Sequence, residues 1–328
     1  MEHSDFVHLH NHTQYSLLDG ALRLPNLMKR AHEFKMPAIS ITDHGNMFGA
    51  IEFYDVASRH GIKPIIGCEV YVAPESRFDR TAIHGISDAS HHLVLLAKDL
   101  TGYKNLLALV SAGYLQGFYY RPRIDKELLM RHKDGLIGLS ACLKGEISSL
   151  LLKGNFQKAK DIAKEFENIL GKGNFYIELM DHGIEEQIKV NAELIKISKE
   201  LDIPLVATND CHYLTKEDSK AHEVLLCIQT GKTLEDKGHM KFSKNEFYFK
   251  TPQEMKLLFA EVPSAIKNTI VIAEHCNLEL TFGTFYLPKY DLPPEHTNVD
   301  EYLEKLCRDG LKKHFPQNIS QEVEDRLK

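Results

Sequence analysis

The chain has no tryptophan, and its apolar runs stop at strand length. A membrane-spanning helix needs roughly 20 consecutive apolar residues, so spanning helices are excluded. The start, MEHSDFVHLH, lacks the charged and apolar regions of a signal peptide, which leaves the cytoplasm as the expected compartment. Cys68, Cys142, Cys211, Cys227, Cys276 and Cys307 show neither C-x-x-C spacing nor a secreted small-domain pattern, so reduced thiols are expected. A large excess of one charge sign is also missing. With 40 Lys and Arg against 46 Asp and Glu, the net charge of -6 offers no whole-chain attraction for nucleic acid or anionic membrane. Contact with nucleic acid would have to come from a local site or an attached domain. What the chain does have is histidine: 18 of them, a number that in the cytosol points to metal or phosphate chemistry.

A length of 328 residues accommodates a barrel of roughly 250 residues with a tail. Apolar residues make up 43% and charged residues 26%, which excludes a disordered chain. From Phe6 to about Asn277 strand-like runs alternate with helix-like ones. Helices are expected over Leu24 to Lys35, Met47 to His60, Thr101 to Gln116, Ile147 to Leu152, Phe156 to Leu170, Glu185 to Leu201 and Val262 to Cys276. Strands are expected at Phe6 to His12, Ala38 to His44, Lys63 to Val72, His92 to Ala97, Leu136 to Ser140, Phe175 to Leu179 and Leu205 to Thr208. Runs that are apolar at nearly every position, each followed by an amphipathic helix, predict a parallel sheet of about seven units covered on its outer face. A closed barrel is favoured over an open sheet because candidate ligands end nearly every run, and closure brings strand ends to one rim.

Those candidates are His10, His12, Asp19, His44, Glu69, His92, Cys142, Asp210 and His212. In the first run His8, His10 and His12 alternate, and period-two spacing predicts one shared face. Asp43 either binds a metal or orients a neighbouring imidazole, unless this stretch is simply a helix N-cap region. Glu69 sits inside IIGCEVYV, where a buried carboxylate demands a cation or strong donor nearby. Alternation sends Cys211 into packing, away from Asp210 and His212. A thiolate at Cys142 favours zinc or another borderline metal over magnesium. The set exceeds the four ligands zinc normally takes, so shared ligands and more than one ion are implied, an arrangement suited to phosphate-ester hydrolysis.

HNHTQYSLLDG, then ITDHGN, GCE, His92, Cys142 and NDCH resemble the PHP (polymerase and histidinol phosphatase) superfamily. SLLDGALRLPNLMKRA, MPAISITDHGNMFGAIEFY, GIKPIIGCEVYVAP, TGYKNLLALVSAGYLQGFYYRPRID and FYLPKY are closer still to the N-terminal PHP domain of alpha subunits of bacterial replicative DNA polymerase III. The resemblance implies a distorted (βα)7 TIM-like barrel, an α/β fold with its metal site at the C-terminal rim of the strands, followed by a helical extension. It also implies a ligand assignment. His10, His12, Glu69 and Asp210 would hold one ion; Glu69 would bridge to a second held by His92 and Cys142; Asp19, His44 and His212 would hold a third. His12, Glu69 and Asp210 would be the metal-site residues most directly tied to catalysis. His8 is left as a core or supporting residue and His91 as surface, while His84, in the SRFDRTAIHGISD stretch, either reaches the rim from a long loop or is an exposed residue without a role.

The implied organisation is a PHP domain over 1–280, a linker over 281–298, rich in proline and glycine, and the start of a polymerase palm region over 299–328. The end at DRLK, inside a charged helix-like stretch, reads as a cut in a longer polypeptide. The implied activity is metal-dependent 3′→5′ exonucleolytic proofreading with two or three divalent ions, zinc foremost and manganese or iron as alternatives. The implied partners are the 3′ primer end of DNA, the polymerase's palm, thumb and fingers, and other replisome subunits, with no membrane. The rival readings are a metal-stapled structural or docking domain without nuclease activity and a histidinol-phosphatase-type phosphoesterase. Tyr119 to Arg123, YYRPR, pairs aromatics with arginines, either as packing or as a DNA contact.

Overall fold

The computed structural model describes residues 3–81, 90–285 and 287–327. The chain divides into two compact units, Met1–Leu280 and Thr281–Lys328. In the first, α1 (Leu24–Glu33), β1 (Ala38–Ile41), α2 (Ala50–Arg59) and β2 (Lys63–Val72) follow the expected alternation. Then come β3 (His91–Ala97), α3 (Leu100–Leu115), a two-residue β4 (Arg123–Ile124), α4 (Lys126–Arg131) and β5 (Leu136–Leu139). Helices α5 (Glu146–Leu152) and α6 (Phe156–Leu170) precede β6 (Phe175–Leu179), α7 (Glu185–Leu201) and β7 (Leu205–Ala207). The unit is completed by α8 (Ser219–Thr230), α9 (Pro252–Leu258) and α10 (Pro263–His275). The second unit holds α11 (Val299–His314) and α12 (Gln321–Leu327).

The strands form one curled sheet in the order β1-β2-β3-β5-β6-β7, with β4 pairing the far end of β2. It is not wholly parallel, as the repeating pattern had predicted. Strand β3 runs antiparallel to both β2 and β5, while the other pairs are parallel. β3 thus starts at the rim where β2 ends, Val72 pairing with His91.

The first run also departs from expectation, forming isolated bridges rather than a ladder. It lies between the sheet's two edges: Ser40 N and Thr42 N donate to His8 O and Asn11 O at 3.2 and 3.0 Å, and His12 N donates to Cys211 O at 2.8 Å. These bonds link β1 to the segment after β7. Inside the curl, Val7, Leu9, Ala38, Ile65, Val94, Leu96, Ile137, Leu139, Tyr176 and Val206 pack with Ile272, Ala273 and Cys276 around α10, while a larger cluster fills the layer between sheet and outer helices. The interior is therefore packed below its ligand-bearing rim. Among the described residues no helix is long and apolar enough to cross a membrane.

Candidate metal centre

The rim gathers residues from segments some two hundred positions apart. Three groups of ligand atoms each lie within 4.8 Å of one another: His10, His12 and Glu69; His44, Glu69 and His92; His12, His44 and His212. Glu69, His12 and His44 each belong to two groups, so the three are joined. Asp210 Oδ1 lies 3.0 Å from His12 Nε2 and 3.4 Å from His10 Nε2. Asp19 Oδ2 lies 3.3 Å from His44 Nε2, and Cys142 Sγ lies 3.8 Å from His92 Nδ1. The antiparallel β3 explains why His92 opens its run while the other ligands close theirs. In an all-parallel sheet a strand's first residue would face the opposite rim.

Hydrogen bonds outside the groups decide which imidazole nitrogen faces inward. A carboxylate or carbonyl oxygen only accepts, so its histidine partner nitrogen carries the proton. His10 Nδ1 thus donates to Glu178 Oε1 at 2.8 Å, and His212 Nδ1 donates to Asp210 O at 2.8 Å. Ser16 Oγ donates to Asp43 Oδ1 at 2.7 Å, leaving its lone pair to accept from His12 Nδ1 at 3.2 Å. In all three rings Nε2 is left for the centre. Asp43, expected as ligand or orienter, orients: it also accepts from Thr13 N and Thr13 Oγ1.

These inward atoms crowd together. His10 Nε2 and His12 Nε2 face each other at 3.1 Å. Asp19 Oδ1, Glu69 Oε2 and Asp210 Oδ1 are buried with no hydrogen-bond partner among the described residues. Glu69 Oε2 comes within 2.6 Å of His44 Nδ1 in an orientation that no N–H bond spans. Converging lone pairs on nitrogen and carboxylate oxygen are what a divalent cation satisfies, so the residues present fit a metal centre.

Titration behaviour follows the same geometry. Burial pushes His10 toward neutrality but is outweighed by Glu178 and Asp210, and its pKa rises to about 9. Burial together with His44 and His212 lowers His12 to about 3. Burial would raise Glu69 and Asp210, yet His92 and His44 hold Glu69, and His10 and His212 hold Asp210, well below the usual carboxylate range. Burial, with Glu69 and Asp210 nearby, pushes the Cys142 thiol well up, so a thiolate there needs a cation beside it.

His8 does not share the face of His10 and His12. Its Nε2 donates to Lys250 O at 2.8 Å and its ring packs on Phe249. The alternation predicted for the run breaks because Leu9 belongs to the inner core and the next residue, His10, also faces inward. Cys211 joins the outer core. Arg123 is buried, bonded to Gly117 O and Arg77 O, whereas Tyr120 and Arg121 are exposed at the cleft. His91 is half-buried, and His84 lies outside the described residues. Sequence reasoning missed Glu178, whose signal was the same as that of Glu69: a carboxylate inside an apolar strand, FYIEL. It also missed His222, whose Nε2 donates to Asp19 O at 2.8 Å. Cavities of about 180 and 420 Å³ open from the centre, with Lys144 in the walls of both and Arg121 in the larger.

A partly antiparallel, curled α/β sheet with linked histidine and carboxylate groups on one rim defines a protein with a candidate metal centre. The sequence profile of the PHP domain matches residues 8–182, and the chain belongs to the PHP domain family. It is 45% identical over 326 residues to the DNA polymerase III subunit alpha of Treponema pallidum (strain Nichols), covering 99% of this chain and 28% of that subunit. With the corresponding subunit of Borreliella burgdorferi it shares 46% identity over 324 residues, 98% of this chain and 28% of the relative. The chain therefore spans little more than a quarter of the length of these relatives. A solved two-domain protein from Bacteroides vulgatus, described as containing a predicted PHP-like metal-dependent phosphoesterase, overlays with a TM-score of 0.40 at 13% identity, covering 82% of this chain and 65% of that one. That likeness is too loose to carry an argument.

Proposed function

We propose that this chain is the N-terminal PHP domain of a bacterial replicative DNA polymerase III alpha subunit and acts as a 3′→5′ exonuclease on the primer end. His10, His12, Asp19, His44, Glu69, His92, Cys142, Asp210 and His212 would hold two or three divalent ions, zinc foremost, with manganese or iron as alternatives. Such ions, when bound, supply charge for the nonbridging phosphate oxygens and acidify a water molecule. The protein's own groups do the positioning. Glu178 and the Asp43–Ser16 pair fix the tautomers of His10 and His12, while Arg121 and Lys144 face an incoming phosphate from the cleft wall. Palm, thumb and fingers of the same polymerase and other replisome subunits are the expected partners, and the cytoplasm the expected compartment.

The observation that carries this reading is the set of buried, unpartnered carboxylate oxygens facing the inward imidazole nitrogens. The test is elemental analysis together with digestion of a 3′-mismatched primer. Zinc- or manganese-loaded protein should release the terminal nucleotide. His12→Ala and Asp210→Ala should lower the rate by more than the roughly 10–100-fold typical of losing a partner one bond further out. The deep burial of His10, His12 and Glu69, at 0%, 0% and 1% exposure, supports a second reading in which the ions only staple the fold. In that case the ligand changes lower the melting temperature while the wild type leaves the primer intact.

A further inference from the structure

Beside the metal centre lies a third cavity, of about 330 Å³, that shares Asp19 and His44 with it. Its walls differ in chemistry: Phe48, Tyr71, Tyr114, Phe118 and Tyr120 line it, with Arg121 at the border. Phe48, Phe118 and Tyr120 are 59%, 50% and 56% exposed, an unusual concentration of open aromatic surface. Tyr71 is the partition between the two spaces. Its ring stacks toward His44 at 6.2 Å and meets His92 edge-on at 5.2 Å, and the Arg121 guanidinium lies 5.7 Å from its centroid.

The loop that carries Tyr120 and Arg121 is braced into this position. Tyr120 has a φ of 59°, a left-handed conformation that a bulky side chain adopts only when its surroundings impose it. Tyr119 N donates to Arg121 O at 3.0 Å. Pro122 sits so close to Gly45 that a Cβ there would meet its Cγ at 2.9 Å, and Gly45 itself has a φ of 61°. The aromatic loop thereby packs directly against the turn that follows His44.

We propose that this cavity receives the base of the 3′-terminal nucleotide in an unpaired state, while its phosphate lies at the metal centre under Arg121. The proposal rests on the nuclease reading above. Aromatic faces stack on any base, which suits an activity without sequence preference. A volume of this size falls within the range of small-molecule sites. A mispaired terminal base is the cheapest to unstack and swing out, so the cavity also favours mismatched ends over paired ones.

The test compares two ligands that differ only by the base, dTMP and 2-deoxyribose 5-phosphate, titrated calorimetrically into the zinc-loaded chain. dTMP should bind about tenfold or more tightly, the scale expected for one base stacked on aromatic rings. Phe118→Ala with Tyr120→Ala should erase that difference, leave the affinity for 2-deoxyribose 5-phosphate unchanged, and leave the circular dichroism spectrum unaltered, since both side chains are exposed. Equal affinity of the two ligands in the wild type overturns the proposal, as does a preference that survives the double substitution or binding of neither ligand. The two readings fail separately. A base preference abolished by the double substitution supports the cavity even if no primer is digested, and primer digestion without base preference removes the cavity alone.

Discussion

Glu178 determines which nitrogen of His10 is free, because its carboxylate accepts the hydrogen bond from Nδ1–H, keeping the proton there and leaving Nε2 toward Glu69 and Asp210. Glu178→Ala should lower metal affinity roughly 10–100-fold in competition with a chelator, whereas Glu178→Gln, which can still accept from Nδ1, should recover part of the loss. His8 makes a different prediction. Burial lowers its pKa to about 4, against an ordinary value of 6.5. The unfolded chain then binds a proton that the folded chain refuses, so stability is fully present above pH 6.5 and falls as the pH drops toward 4. By pH 5 this one residue should cost about 2 kcal/mol. Urea unfolding of metal-free protein at pH 7 and pH 5 measures it, and His8→Leu should remove that part of the difference. The candidate ligands stood out as a set, by recurring at or beside the ends of apolar runs, whereas each taken alone has an ordinary structural explanation. Glu178 was just as legible and was passed over. The inward turn of His10 was not legible, since nothing in FVHLHNH marks the break after Leu9.

Among the elements, β3 carried a readable sign that the regular alternation obscured. Its ligand comes first in the run, and only a reversed strand brings a first residue to the rim where the others end. The short β4 and α4 were not foreseen, because two residues of strand and six of helix leave no periodicity to detect. What holds them is one carboxylate. Asp125 accepts from Leu128 N at 2.9 Å, capping α4, and pairs with Arg77 Nη1 at 2.9 Å where both side chains are buried. It also accepts from Arg77 N at 2.9 Å. Asp125→Ala strands a buried guanidinium and removes a cap, so urea unfolding should show a loss of about 3–5 kcal/mol. Because the adjoining loop carries Tyr120 and Arg121, primer binding should weaken while metal content at the rim is retained. Loss of metal together with primer binding would show that the loop and the rim do not behave as separate parts.

For the molecule as a whole, the PHP domain match runs through β6 and stops before β7, while similarity to polymerase subunits runs on through the second unit. On the exonuclease reading, a net charge of -6 gives long-range attraction no grip on DNA, and the work would fall to cations at the cleft. Among the described residues lining the three cavities around the metal centre, Arg121 and Lys144 are the only Lys or Arg side chains. Two phosphate contacts on a single strand predict a slope of about -1.4 for log K against log salt, and loss of either cation should reduce it by about 0.7. Fluorescence anisotropy of a labelled single-stranded primer end between 50 and 200 mM salt, an interval of roughly fourfold over which a slope of that size weakens binding about sevenfold, gives the measurement. Arg121→Gln and Lys144→Gln should each flatten the line. A much steeper slope, unchanged by these substitutions, would mean that the strand runs elsewhere, for which the cavity lined by Lys220, Lys241 and Lys244 offers the alternative cationic surface.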